Sequence, residues 1–102
     1  MSGEPSYSLE RVKELIRREV YRITIQAQAD AKELGFDESD VLACVLGLAA
    51  QEFYKTMPSD RFPGRMQDVY RPRFIARELY VKLQIVDFSR EETAVVISFK
   101  VR

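Results

Sequence analysis

The chain has 102 residues, 46% hydrophobic and 31% charged, with one cysteine, no histidine and a formal net charge of zero. That length carries one domain around one core, and that balance argues against native disorder. Without histidine, catalytic triads and imidazole acid–base pairs are excluded, and a lone cysteine cannot form an internal disulfide.

The zero total hides two opposite halves. Residues 1–52 hold six Lys or Arg against ten Asp or Glu, a balance of −4, so residues 53–102 carry +4. In the second half Lys55, Arg61, Arg65, Arg71, Arg73, Arg77 and Lys82 face only Asp60, Asp68 and Glu78. A local positive field of that kind steers a polyanion even when the total cancels.

The N-terminal stretch Met1 to Ser8 is polar and contains Pro5, so it lacks the charged flank and apolar core of a secretory signal. No apolar run approaches membrane-spanning length, and the expected location is the cytoplasm. Leu9, Val12, Leu15, Ile16 and Val20 step by three and four, which predicts an amphipathic helix from about Leu9 to Glu19 capped by Ser8. A short extended piece at Val20 to Ile23 follows. Thr24 then caps a second helix bearing Ile25, Ala27, Ala31 and Leu34, which stops at Gly35. Asp37 or Ser39 caps a third, whose apolar run Val41, Leu42, Val45, Leu46 and Leu48 is expected to lie against a sheet. Cys44 sits within that run and reads as a small buried residue. Asp37, Glu38 and Asp40 suit a helix start, favoured by the macrodipole, better than a metal site. Phe53-Tyr54-Lys55 reads as a short extra turn, and Pro58, Pro63 and Gly64 mark a loop.

Gln67 to Phe74 reads as a strand with an unusual polar load. Alternation puts Gln67, Val69, Arg71 and Arg73 on one face and Asp68, Tyr70 and Phe74 on the other. Pro72 has no N–H to give a ladder, so this segment is expected at a sheet edge or bulge, with its basic face accessible. From Arg77 to Phe88, Leu79, Val81, Leu83 and Ile85 alternate with Tyr80, Lys82, Gln84 and Val86. The last strand sets Val95, Ile97, Phe99 and Val101 against Val96, Ser98, Lys100 and Arg102. If the connecting loop is residues 88–92, Asp87 opposes Thr93 and Tyr80 opposes Lys100; a slip of two brings Ser98 or Arg102 there instead. Three helices followed by three antiparallel strands predict an α+β layer structure, a single domain over residues 1–102.

The polar sheet face then gathers Gln67, Arg71, Arg73, Tyr80, Lys82 and Lys100, with Lys55 just upstream. Such groups can cleave RNA without a metal, because RNA brings its own nucleophile, the 2′-hydroxyl. Arg71 and Lys100 suit stabilisation of the charged phosphorane. Lys55 and Tyr80 can exchange protons if nearby positive charge moves their pKa values toward neutrality. Composition and parity alone leave a basic sheet protein of open role, since polar residues on an exposed strand face are common.

The order Phe53-Tyr54-Lys55-x-Met57, Gln67-Asp68-Val69-Tyr70-Arg71-Pro72-Arg73, Tyr80-x-Lys82 and Val96-Ile97-Ser98-Phe99-Lys100 resembles the MqsR, or motility quorum-sensing regulator, family of toxins. The resemblance covers most of residues 46–100. It implies a RelE-like compact α+β domain with N-terminal helices packed on a C-terminal antiparallel sheet, and an mRNA interferase cutting at short GC-containing sequences. It also implies a cognate antitoxin of the MqsA type and no cofactor or metal. Lys55, Gln67, Tyr80 and Lys100 match the family's residues for RNA cleavage, and Arg71, Arg73 and Lys82 are expected to bind RNA. Met66 stands where a tryptophan is expected, and the Ser89 to Glu92 turn is longer than expected. Two alternatives stand beside this reading: a non-catalytic RNA- or antitoxin-binding module of the same fold, and an endonuclease acting only on ribosome-bound message.

Overall fold

A computed structural model describes residues 3–60 and 62–102; Arg61, counted above among the cations, lies outside the described residues. The three predicted helices are present as α1 (Leu9–Arg17), α2 (Ile25–Glu33) and α3 (Glu38–Leu46). Local chemistry starts each one: Ser8 accepts from Arg11 N, Thr24 from Ala27 N, and Asp37 forms a capping box with Asp40. Gly35, at φ 84°, turns the chain out of α2 in a conformation that side-chain-bearing residues resist. Among the described residues, no helix is long and apolar enough to cross a membrane.

Six strands form one mixed sheet: β1 (Tyr21–Ile23), β2 (Phe53–Pro58), β3 (Met66–Tyr70), β4 (Arg73–Phe74), β5 (Arg77–Phe88) and β6 (Glu91–Val101). Their order is β1-β6-β5-β3-β2, with β4 paired to β5 off that path. The expectation of three antiparallel strands is thus incomplete. β1 adds a parallel edge beside β6, with Tyr21 opposite Ala94 and Ile23 opposite Val96. Phe53-Tyr54-Lys55 does not form an extra turn: after a 3-10 turn at Ala50–Glu52, it opens β2. Aromatic and β-branched residues in Phe53-Tyr54-Lys55-Thr56 fit a pleated surface.

β3 is also not an edge strand, because β2 and β5 flank it on both sides. Pro72 is accommodated differently, in the break between β3 and β4 where no ladder hydrogen bond is required. The interior position buries Gln67, Asp68, Val69 and Tyr70, so the basic face of this segment is accessible only beyond β3, at Arg71 and Arg73.

The β5–β6 hairpin turns on two residues, Ser89 and Arg90, both with positive φ, which places Phe88 opposite Glu91 and Asp87 opposite Glu92. A five-residue loop is therefore overturned, and pairing near the turn runs one residue out of step with the expected one. A bulge corrects it. Lys82 pairs with Ser98 but Leu83 pairs with Val96, leaving Ile97 as the extra residue. Beyond the bulge Tyr80 faces Lys100, as expected, by a different route. Near the turn the core side of β6 is Ala94 and Val96, where alternation had assigned Val95 and Ile97.

All three helices share one side of this sheet. Leu79, Val81, Leu83, Val96, Phe99 and Tyr70 meet Val12, Leu15, Ile16, Ala27, Ala31, Val41 and Val45 in one core. α1 and α2 pack on β6, and α3 packs on α1. Phe36 joins the layers edge-on, 5.6 Å from the Phe74 ring centroid and 6.1 Å from that of Phe99. Cys44 lies in this core, 3% exposed, and burial pushes its thiol pKa up to about 12. Such a thiol has almost no thiolate near neutrality and is no nucleophile.

Candidate active site

The outer face of the sheet carries the polar residues. Register builds it in rows, because residues directly opposite one another share a face. Lys55 on β2 pairs with Val69 on β3, Val69 with Lys82 on β5, and Lys82 with Ser98 on β6, so one row crosses four strands. Tyr80 and Lys100 form the neighbouring row. The Lys82 and Lys100 ammonium groups stand 5.9 and 5.6 Å from the Tyr80 ring centroid. Two lysines from neighbouring strands thus flank one tyrosine, and Lys55 stands farther along the same outer face.

A second bulge shapes the other margin. Phe53 pairs with Tyr70 and Lys55 with Val69, which leaves Tyr54 as the extra residue of β2. The Tyr54 ring, 43% exposed, lies 4.3 Å from the Arg71 guanidinium and 5.5 Å from the Lys55 ammonium. Arg71 thereby stands over the Tyr54 ring, which Lys55 also approaches. Strand alternation gives no signal for a bulge, so Tyr54 escaped the sequence reading.

No ion pair quenches this cluster: among the described residues none of Lys55, Arg71, Lys82 and Lys100 forms one, whereas Arg11, Lys13 and Arg102 all do. One consequence falls on Lys82. Burial, then the charge of Lys100, then that of Lys55 push its pKa below the ordinary lysine value, and Asp60 offsets this in part. A lysine so placed holds a larger neutral fraction and can accept a proton. Sequence reading had assigned proton transfer to Lys55 and Tyr80 and only RNA binding to Lys82.

Two predicted site residues sit differently. Gln67 shares this outer face but is only 5% exposed, and its amide donates to Ser59 Oγ at 3.3 Å. The β2–β3 loop covers that side of the sheet: Phe62 lines a recess with Val86, Val95 and Ile97. Arg73 lies one row beyond Tyr80: it pairs with Glu78, two residues before Tyr80 on β5, and Glu78 is engaged by Arg102 at 3.3 Å. A separate recess of about 310 Å³, lined by Ile23, Ala31, Phe36 and Val41, opens on the helical side and holds none of these cations.

The arrangement offers fixed positive charge, one lysine disposed to lose a proton and one phenol between two ammonium groups. It is suited to a phosphodiester whose nucleophile lies within the substrate. Comparison with known proteins agrees. The model of the family described as "Motility quorum-sensing regulator, toxin of MqsA" matches residues 4–101. The chain is 32% identical over 96 residues, 94% of its own length and 93% of the relative's, to the mRNA interferase toxin MqsR of Escherichia coli K12.

Proposed function

The chain belongs to the motility quorum-sensing regulator family of toxins, and from that premise we propose that it is an mRNA interferase, cleaving RNA on the outer face of its sheet. Lys82 takes the proton of the 2′-hydroxyl, and the resulting oxygen attacks the adjacent phosphorus. Lys100 and Arg71 stabilise the dianionic phosphorane, each well-placed donor contributing about 3 to 4 kcal/mol. Tyr80, flanked by Lys82 and Lys100, gives its proton to the departing 5′-oxygen. Lys55 holds the flanking phosphate, and Gln67 orients the ribose once its bond to Ser59 is exchanged for one to substrate. The P–O5′ bond breaks as the P–O2′ bond forms, so the products are a 2′,3′-cyclic phosphate and a 5′-hydroxyl. No electrons leave the system.

The carrying observation is the cross-strand row that sets Lys55 and Lys82 beside the Tyr80–Lys100 pair, none of these lysines being in an ion pair among the described residues. A site of this kind works by preorganised charge more than by acid–base strength. Short GC-containing sequences are the proposed targets, the cytoplasm the proposed location, and a cognate antitoxin of the MqsA type the proposed partner.

The test uses purified protein and an unstructured RNA in EDTA. Cleavage leaving a cyclic phosphate supports the reading, and strict dependence on Mg²⁺ sinks this mechanism. Cutting of translated message with naked RNA left intact would transfer the activity to the ribosome.

A further inference from the structure

Gln84 is the least explained residue of the fold. It lies on the outer face of β5, between Lys82 and Val86, and register places it opposite Val95 on β6. Extending the β3–β5 pairing, in which Asp68 opposes Leu83, brings Gln67 to its other side. Its exposure is 0%, and among the described residues neither its amide nitrogen nor its carbonyl oxygen has a hydrogen-bond partner. Buried amides without partners are rare and costly, and a native structure that keeps one calls for a reason. Valine or leucine there would be the stable choice beside Val86 and Val95.

The described part of the β2–β3 loop crosses this region of the outer face, where Phe62 lines a recess with Val86, Val95 and Ile97 beside Gln84. The loop's internal bonds close it on itself: Ser59 N donates to Arg65 O at 2.9 Å, and Phe62 N to Ser59 Oγ at 3.2 Å. Among the described residues, Gln67 to Ser59 is the side-chain bond tying the loop to the outer face, and at 3.3 Å it is long. Gln67 belongs to the proposed site. A substrate that engages the Gln67 amide removes the tie and opens the way to Gln84.

We propose that Gln84 is a specificity-determining residue, its carboxamide hydrogen-bonding the edge of the nucleobase next to the scissile phosphate after the β2–β3 loop moves aside. A carboxamide presents one donor group beside one acceptor, which is how glutamine pairs with a base edge. Position fits the task. Gln84 neighbours Lys82 on the same strand, so a base reaching it belongs to a nucleotide whose phosphate lies among the lysines. Single-stranded RNA offers such edges freely, because its bases can be splayed from the backbone. The unpartnered state of the free protein is then the unoccupied half of a recognition pair. This assignment rests on the mRNA interferase reading above.

The experiment compares wild type with Gln84→Leu on a randomised single-stranded RNA in EDTA, mapping every cut from its 5′-hydroxyl end and measuring Tm in parallel. Leucine matches glutamine in size and removes both polar groups. The expected result is discrimination lost at one nucleotide position, by roughly 5- to 150-fold, the range of one bidentate base contact, with Tm equal or higher. An unchanged cut-site distribution overturns the proposal. So does a fall in Tm of several degrees, which shows that the amide has a structural partner in solution. If Gln84→Leu folds poorly, Gln84→Met gives the same readout. Should wild type itself leave the RNA intact, the interferase reading fails, an outcome distinct from an unaltered preference in an active variant.

Discussion

Asp68 sits in the middle of the most polar segment of the chain, yet its carboxylate faces the helical side of the sheet and is 2% exposed. Its two oxygens accept from Ser6 N at 2.9 Å and Tyr7 N at 2.8 Å, clamping the chain ahead of α1 onto β3. Ser6 Oγ with Thr56 Oγ1 at 2.6 Å, and Tyr7 OH donating to Met66 O at 2.7 Å, complete the strap. Replacement by alanine removes two charge-assisted hydrogen bonds, each contributing about 1.5–3 kcal/mol. Part of that is returned, because a buried charge disappears and water can reach Ser6, which is exposed. Asp68→Ala should therefore cost about 2–4 kcal/mol, lowering Tm by roughly 10–25 °C for a domain of this size. Thermal unfolding of four proteins makes the measurement: wild type, Asp68→Ala, a form lacking residues 1–7, and the combination. If the carboxylate acts through the strap, its loss costs little once the strap is gone, giving a large coupling term. A Tm loss below about 3 °C, or equal losses in both backgrounds, would refute the clamp. Cleavage per folded molecule should persist in Asp68→Ala, since this side chain is on the face away from the lysines.

Lys82 carries a pH signature. Its folded pKa lies below the ordinary 10.5, so the charged form is penalised in the fold; that penalty is present below the folded value and is relieved as pH rises toward 10.5. Lys82→Met should thus gain stability at neutral pH, with the gap to wild type closing in alkali. The same shift gives cleavage a rising alkaline limb, which Lys82→Arg should lose, and a wild-type-shaped profile in that variant would remove Lys82 from proton transfer. Tyr80→Phe deletes the proposed acid and should slow cleavage about 10²- to 10⁴-fold while leaving RNA affinity nearly intact. Burial raises the Tyr70 phenol from 10 to about 12, so its stabilising contribution is full below pH 10 and fades as pH climbs to 12. Urea titrations should show wild type losing roughly 2–3 kcal/mol more than Tyr70→Phe across that window. Ile75 and Ala76 both have positive φ in the β4–β5 turn, and Ile75 is 62% exposed. Asn-Gly at these positions fits a two-residue hairpin, so the double change should raise stability by about 1–2 kcal/mol; a lower urea midpoint would deny the strain.

The chain by itself determined what depends on near neighbours. Ser8, Thr24 and Asp37 cap the helices because their oxygens meet N–H groups only three residues on. Strict alternation from Leu79 to Ile85 separated core from outer face in β5, and the same period put Gln67 with Lys82 and Tyr70 with Val81. The candidate set of Lys55, Tyr80, Lys82 and Lys100 could be listed too, since it needed only parity, charge and the family motif. Tertiary structure decided the rest. β3 lies between β2 and β5, and the β2–β3 loop meets Gln67 through Ser59; no local preference records which segments will lie beside it. Bulges at Tyr54 and Ile97 break the period of two on which face assignments depend, and each is closed by a partner elsewhere: Thr24 donates to Ile97 O at 2.9 Å, and Arg71 covers Tyr54. Lys100 reaches the outer face only because the Ile97 bulge absorbs the residue by which a two-residue turn would have misaligned it. Side-chain type sets what a residue can do chemically; burial, field and partner come from segments brought together across the sheet. That is why the candidate site's lysines and Tyr80 could be named from the sequence, whereas Tyr54, the lowered pKa of Lys82 and the buried amide of Gln84 could not.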